Sequence, residues 1–238
     1  MNIQKLSSYK NYFTKTELIL WSCSVTVIAV LFFVFDRSNY MSFAASLIGA
    51  TSLIFNAKGN PIGQLLAVIF SVLYGIISYS CAYYGEMLTY LGMTAPMAVI
   101  SLISWLKNPF DGSRAEVKVK RLGRGEIVLM CAVTPIITVI FYFILKFFNT
   151  ANLIMSTLSV ATSFLAVFLT AKRSPFFAVA YAANDIVLII MWSMASIADM
   201  SYISVLICFV IFLANDIYGF LNWRKMEKRQ LSACSDAR

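Results

Sequence analysis

The sequence predicts an all-α integral membrane protein of eight transmembrane helices. They form two parallel three-helix repeats joined by a linker helix (3+1+3), with one extra helix at the N-terminus. Three observations predict this fold. First, 60% of residues are hydrophobic, 13% are charged and mean hydropathy is +0.79, whereas soluble domains hold about 45–50% apolar and about 25% charged residues. Second, eight apolar runs approach the about 20 residues that a span needs. Third, the cations fall on one side of those spans, and the chain repeats a motif in its two halves.

The runs are 17–35, 40–56, 62–81, 87–106, 126–148, 152–171, 176–196 and 200–222. Each break has a physical cause. Asp36-Arg37 ends the first run, Lys58-Gly59-Asn60-Pro61 the second, and Tyr84-Gly85-Glu86 separates the third from the fourth. Lys107-Asn108-Pro109 opens the longest loop, which carries Arg114, Lys118, Lys120, Arg121 and Arg124 and reads as a solvated basic segment. Asn149 to Asn152 makes a tight turn, Lys172-Arg173-Ser174-Pro175 ends the sixth run, Asp199 follows the seventh, and Arg224-Lys225 begins the tail. The first run lacks a small-residue cleavage pattern and is read as a retained span rather than a signal.

With the N-terminus in the cytoplasm, the inner segments hold Lys5, Lys10, Lys15, Lys58, the long loop, Lys172, Arg173 and the tail. The outer loops hold Arg37, with Lys146 near an outer end. The positive-inside rule therefore places both termini in the cytoplasm, and it also checks the span count, because a lost span would scramble the sides. The net charge of +8 accordingly points to a lipid bilayer surface, not to nucleic acid. Ala57-Lys58-Gly59-Asn60-Pro61 matches Ala171-Lys172-Arg173-Ser174-Pro175, and each is followed by two spans and a terminal Trp beside a cation, Trp105 or Trp223. The units cover about 46–107 and 159–226, in the same orientation. Five segments follow: 1–38, tail and extra helix; 39–107, first bundle; 108–150, basic loop and linker helix; 151–226, second bundle; 227–238, cytoplasmic tail.

The chemistry concentrates in a duplicated motif. Ala183-Asn184-Asp185-Ile186 recurs as Ala214-Asn215-Asp216-Ile217, both within apolar runs. An Asp at a span centre costs roughly 2.5–3.5 kcal/mol, so a chain that buries two of them uses them. One use is structural, two helices hydrogen-bonding each other. The other is a polar solute site near mid-membrane, as parallel-repeat transporters have between their halves. Each pair lies roughly 10–12 Å from the inner boundary on consecutive antiparallel helices, so the two pairs are expected to face each other. Tyr181 and Trp192 share helical faces with Asn184 and Asp185, while Asn215, Tyr218, Gly219 and Asn222 share another, with Trp223 a turn on. The first half offers Gln64, Ser71, Tyr74 and Ser78, then Glu86, Thr89 and Tyr90; Gly92 and Pro96 are placed to bend the fourth span. Amides interleaved with aromatic rings suit a flat ring with a polar rim. For Trp105 and Trp223 an interfacial anchor is an equal alternative.

Several functions are not indicated. There is no histidine, P-loop, GxSxG, HExxH or GxGxxG-plus-acid pattern, so no enzyme, cofactor or metal is expected. Cys23, Cys81, Cys131, Cys208 and Cys234 are scattered and read as small apolar residues.

The order of AKGNPxG, Tyr84-Gly85-Glu86-Met87, Pro96-Met97, Trp105-x-Lys107, AKR and Asn215 to Trp223 (NDIYGFLNW) resembles the PnuC family over about 40–226. These are bacterial nicotinamide riboside transporters of the plasma membrane, similar in fold to the SWEET sugar carriers. The resemblance implies facilitated diffusion of an unphosphorylated vitamin-type nucleoside by alternating access, and trapping by a cytosolic kinase. It implies substrate contacts at Asn184, Trp192, Asn215, Tyr218 and Trp223, and at Tyr74, Tyr84 and Glu86. Where members often carry Trp, this chain has Phe177 and Ala180, with Tyr181 beside them, and it has Phe70 where an Asn is common. Thiamine, riboflavin or a deoxynucleoside therefore stay open as substrates. A substrate-binding subunit of a larger energised transporter is a further alternative, and the sequence leaves open whether copies form a homo-oligomer.

Overall fold

Among the described residues, eight helices are long and apolar enough to cross a membrane, and they account for most of the chain. The computed structural model describes residues 12–35, 37, 40–80, 84–150, 152–198, 200 and 203–236. Lys5, Lys10, Asp36, Cys81, Asp199 and the side chain of Tyr84 lie outside the described residues.

Helix α1 (Lys15–Phe35) begins in a capping box: the Glu17 N–H donates to Thr14 Oγ1 at 3.2 Å, and the Thr14 N–H donates to Glu17 Oε2 at 2.7 Å. Helices α2 (Tyr40–Ala57) and α3 (Pro61–Ser80) are followed by a fourth span in three pieces: α4 (Tyr84–Thr89), a π-helical turn (Tyr90–Thr94) and α5 (Ala95–Leu106). The basic loop is not merely solvated. It forms a hairpin of β1 (Pro109–Phe110) and β2 (Ser113–Val117), paired antiparallel. Its turn is Asp111-Gly112, with φ of 49° and 68°, the left-handed pair that Asp-Gly supplies. The linker α6 (Arg124–Phe147) packs along α7 (Leu153–Ala171) at the periphery. Helix α8 (Phe177–Ala198) follows, then α9 (Ile203–Asp236).

Helix α9 does not stop near 222 to leave a separate tail. Its 34 residues reach about 50 Å, well beyond the ~30 Å hydrocarbon core. The projecting end is held by the hairpin: Gln230 Nε2 donates to the Val117 carbonyl at 3.0 Å, Arg121 pairs with Glu227 at 2.6 Å, and Arg229 pairs with Glu116. Both tail and loop are thus parts of one docked unit.

The bundles are α2, α3 and the fourth span, and α7, α8 and α9. They meet where α2 touches α9 and where α5 touches α7. The two AKxxP segments close identically. Asn60 N–H donates to Phe55 O and Gly59 N–H to Asn56 O, while Ser174 N–H donates to Leu169 O and Arg173 N–H to Thr170 O. This is a Schellman end, and its left-handed residue is Gly59 (φ 66°) in one copy and Arg173 (φ 59°) in the other. Each bundle's last helix then caps the other bundle's turn. Trp105 Nε1 donates to Thr170 O at 2.9 Å, and Trp223 Nε1 donates to Asn56 O at 2.7 Å. Ser104 Oγ donates to Ala171 O at 2.7 Å, and Asn222 Nδ2 donates to Ala57 O at 2.8 Å. Both indoles are fully buried, 5.4 Å apart, and form a cluster with Phe177, Leu169, Val117 and Met226. They are cross-bundle ties rather than interfacial anchors.

Candidate functional site

A cavity of about 150 Å³ lies between the bundles. Its walls come from α2, α3, the fourth span, α7, α8 and α9, with Leu145 of α6 and Thr150 beside them, and among the described residues that line it there is no Lys, Arg or His. An engineered apolar cavity of about 150 Å³ admits benzene, so this space suits a ring-sized group.

On α8, Asn184 and Asp185 both line the cavity. Three hydroxyls of α7 converge on Asn184 Oδ1: Ser159 Oγ at 3.0 Å, Thr162 Oγ1 at 2.8 Å and Ser163 Oγ at 3.1 Å. The acceptor end of the amide is therefore held by the protein, which leaves its Nδ2 donors as the end available to a solute. Sequence reasoning missed these hydroxyls, although Ser156, Ser159 and Ser163 follow helical spacing on one face. Asp185 lies beside Asp216 of α9, which also lines the cavity, and the two carboxyls interact directly.

The first bundle supplies a second polar group. Tyr74 Oη donates to Glu86 Oε2 at 3.2 Å, and both residues line the cavity. Tyr90 stands 4.5 Å from Tyr74, centroid to centroid, with Phe70 5.6 Å from Tyr74. Phe177, Tyr181, Phe209 and Phe212 complete the aromatic wall. Tyr90 reaches it through the π-helical turn, where the Ala95 N–H donates to Tyr90 O and Thr94 Oγ1 donates to Thr89 O at 3.2 Å. The next residue, Pro96, has no N–H and its ring clashes with the carbonyl four residues back, which a widened turn relieves. The bend expected at Gly92 and Pro96 is therefore a π bulge in a continuous helix.

The other expected residues sit elsewhere. The second motif copy is split: Asp216 faces the cavity, while Asn215 donates to Ser24 Oγ of α1 at 3.2 Å and to Ile211 O at 2.9 Å. The two asparagines thus do not face each other. Tyr218, on the Asn215 face, donates to Glu17 Oε1 at 3.0 Å, and Lys58 Nζ pairs with the same carboxylate at 3.0 Å. Gln64 is one layer behind the cavity: its Nε2 donates to Asn56 Oδ1 at 2.8 Å, and Asn56 Nδ2 donates to Ser52 Oγ at 3.2 Å. Asn56 and Ser52 themselves line the cavity. Trp192 is buried with Leu188 and Phe209, and Trp223 lies in the cluster that seals one end.

Comparison with known proteins gives a consistent picture. A family model described as nicotinamide mononucleotide transporter matches residues 39–225. The nicotinamide riboside transporter PnuC of Neisseria mucosa is 26% identical over 214 residues, covering 88% of this chain and 81% of that protein. The protein of the same name from Haemophilus influenzae is 20% identical over 213 residues, covering 89% of this chain and 91% of that protein. The crystal structure of the vitamin B3 transporter PnuC superposes with a TM-score of 0.79 at 26% identity, over 92% of this chain and 94% of that one.

Proposed function

Because this chain belongs to the nicotinamide mononucleotide transporter family, whose model spans residues 39–225, we propose that it carries nicotinamide riboside across a bacterial plasma membrane. The observation that carries this reading is the cavity between the bundles, with aromatic walls and an Asn184 amide whose acceptor end is already engaged. A carboxamide-bearing ring and a ribose present acceptors and hydroxyls that such donors and carboxyls recognise. The names of the relatives from Neisseria mucosa and Haemophilus influenzae support the same substrate.

Transport proceeds by alternating access between the two bundles, as facilitated diffusion, with both termini cytoplasmic. The basic hairpin and the projecting end of α9 then lie on the cytoplasmic side, which suits their cations. The chain acts as a carrier and not as an enzyme. The test is uptake of labelled nicotinamide riboside into proteoliposomes holding only this protein, with and without a pH gradient. Accumulation to the outside concentration, indifferent to the gradient, is expected. Absence of flux, together with binding of thiamine, riboflavin or a deoxynucleoside, overturns the substrate assignment.

A further inference from the structure

The charge of the cavity is unbalanced. Asp185, Asp216 and Glu86 line it, and no Lys, Arg or His among the described residues does. Asp185 is 4% exposed and Asp216 6%, so water does not screen them. Among the described residues Asp185 Oδ2 has no hydrogen-bond partner, so a buried acceptor is left unused. A native fold rarely leaves such an atom unpaired without a role for it. The groups facing the pair are neutral: Tyr181 on its own helix and Tyr90 from the π-helical turn. The polar groups that α7 brings to the lining are hydroxyls, and Glu86 is engaged by Tyr74.

Two adjacent carboxyls away from water and without a cation hold at most one negative charge between them, because a second charge would face the first. We propose that Asp185 and Asp216 act as one singly charged unit that selects a cationic aromatic ring over its neutral counterpart. The unused Asp185 oxygen supplies the contact, and the remaining proton is shared by the pair. Binding of a monocation neutralises the unit without moving a proton. The unit repels an added phosphate and gives a neutral ring no charge to meet. This inference rests on the substrate reading above, since nicotinamide riboside carries a pyridinium ring.

On this proposal a single exchange is tolerated. With Asp216→Asn, Asp185 ionises alone beside an amide and the net charge is unchanged; Asp185→Asn leaves Asp216 in that role. Only the double exchange removes the charge. The experiment compares binding of nicotinamide riboside with binding of its reduced 1,4-dihydro form, which is uncharged and nearly the same shape. The wild-type protein should prefer the cation by about tenfold to a hundredfold, the value of one charge-assisted contact. Each single variant should keep most of that preference, and the double variant should bind both forms alike. Titration calorimetry of the wild-type protein in two buffers of different ionisation enthalpy should show no proton taken up or released with the cation at neutral pH. Equal binding of the two forms by the wild-type protein overturns the inference and leaves the carrier reading intact. Binding of neither form removes the substrate reading itself. A preference that survives the double exchange overturns the inference and assigns selection to Glu86. A proton released on binding overturns the singly charged unit even where the double variant fails to fold.

Discussion

Truncating Asn184 to alanine tests the site most directly. Its Oδ1 is the shared acceptor of Ser159, Thr162 and Ser163, so the side chain is held in one orientation. The two Nδ2 protons then reach a solute without rotamer entropy being lost on binding. A net hydrogen bond is worth about 0.5–1.5 kcal/mol, so two are worth about 1–3 kcal/mol, a loss of roughly five- to 150-fold in Kd. The fold should tolerate the change. Thr162 Oγ1 also lies 3.0 Å from both Leu158 O and Ser159 O, so it keeps an acceptor when Asn184 is gone. Calorimetric Kd for nicotinamide riboside and the melting temperature of the detergent-purified protein separate the two effects. Single removal of any one hydroxyl should have little effect on Kd, because the other two still fix the amide. Removal of all three should approach the Asn184→Ala value. An Asn184→Ala protein with unchanged Kd and a lowered melting temperature would refute the reasoning and make Asn184 a helix-to-helix tie.

Other residues should respond through stability. Asn215→Ala removes the contact of α9 with Ser24 and should lower stability by about 1 kcal/mol, with a smaller effect on Kd; thermal melting and calorimetry on one sample decide between these. Trp223→Phe leaves the Asn56 carbonyl with the Gly59 N–H as its remaining donor and should cost about 0.5–1.5 kcal/mol in denaturant or thermal unfolding. Trp105→Phe should cost a similar amount, and the double variant should be non-additive because the rings touch. Gly63→Ala would place a Cβ 2.6 Å from the Asn56 backbone nitrogen, so α2 and α3 must separate; loss of folded protein on size exclusion is the expected readout.

How much was legible depended on whether a residue's neighbours were set by local spacing. The AKxxP segments and the terminal tryptophans were visible as a repeat because they obey backbone rules: a helix end needs a left-handed residue, and proline opens the next helix. The partner each tryptophan caps was not visible, since it lies in the other bundle. The Asn-Asp motif was visible as buried polarity, but not the splitting of its second copy. Asn215 turns to α1, a helix outside the repeat, and periodicity says nothing about where an added helix docks. The α7 hydroxyls were hidden for another reason. Thr134, Thr138, Thr157 and Thr170 each bond the carbonyl four residues back, so a hydroxyl in an apolar helix is no sign of a site until its neighbour is known. The hairpin had its signal in Asp111-Gly112, which a reading by charge alone passes over.

The cross-bundle ties also constrain the alternating access proposed above. The hydrogen bonds of Trp105, Trp223, Ser104 and Asn222 all join one bundle's last helix to the other bundle's Schellman turn, at the end of the molecule that carries the basic hairpin. Val117 N–H donates to Gly59 O at 2.9 Å and Lys120 N–H donates to Arg173 O at 3.0 Å, so the hairpin strand holds both turns as well. Opening the cavity toward that end means separating these groups, and each buried donor or acceptor left unpaired costs about 1–3 kcal/mol. The bundles therefore cannot part there by a small independent swing of one helix. They must move as units, with the indoles leaving their carbonyls together or carrying the turns with them. Weakening one tie should therefore raise the population open at that end. A cysteine placed at Val167, on the cavity wall, should be labelled faster by a thiol reagent from the hairpin side in the Trp223→Phe background than in the wild-type background. Equal labelling rates in both backgrounds would mean that the indole tie is not among the contacts that break when the cavity opens.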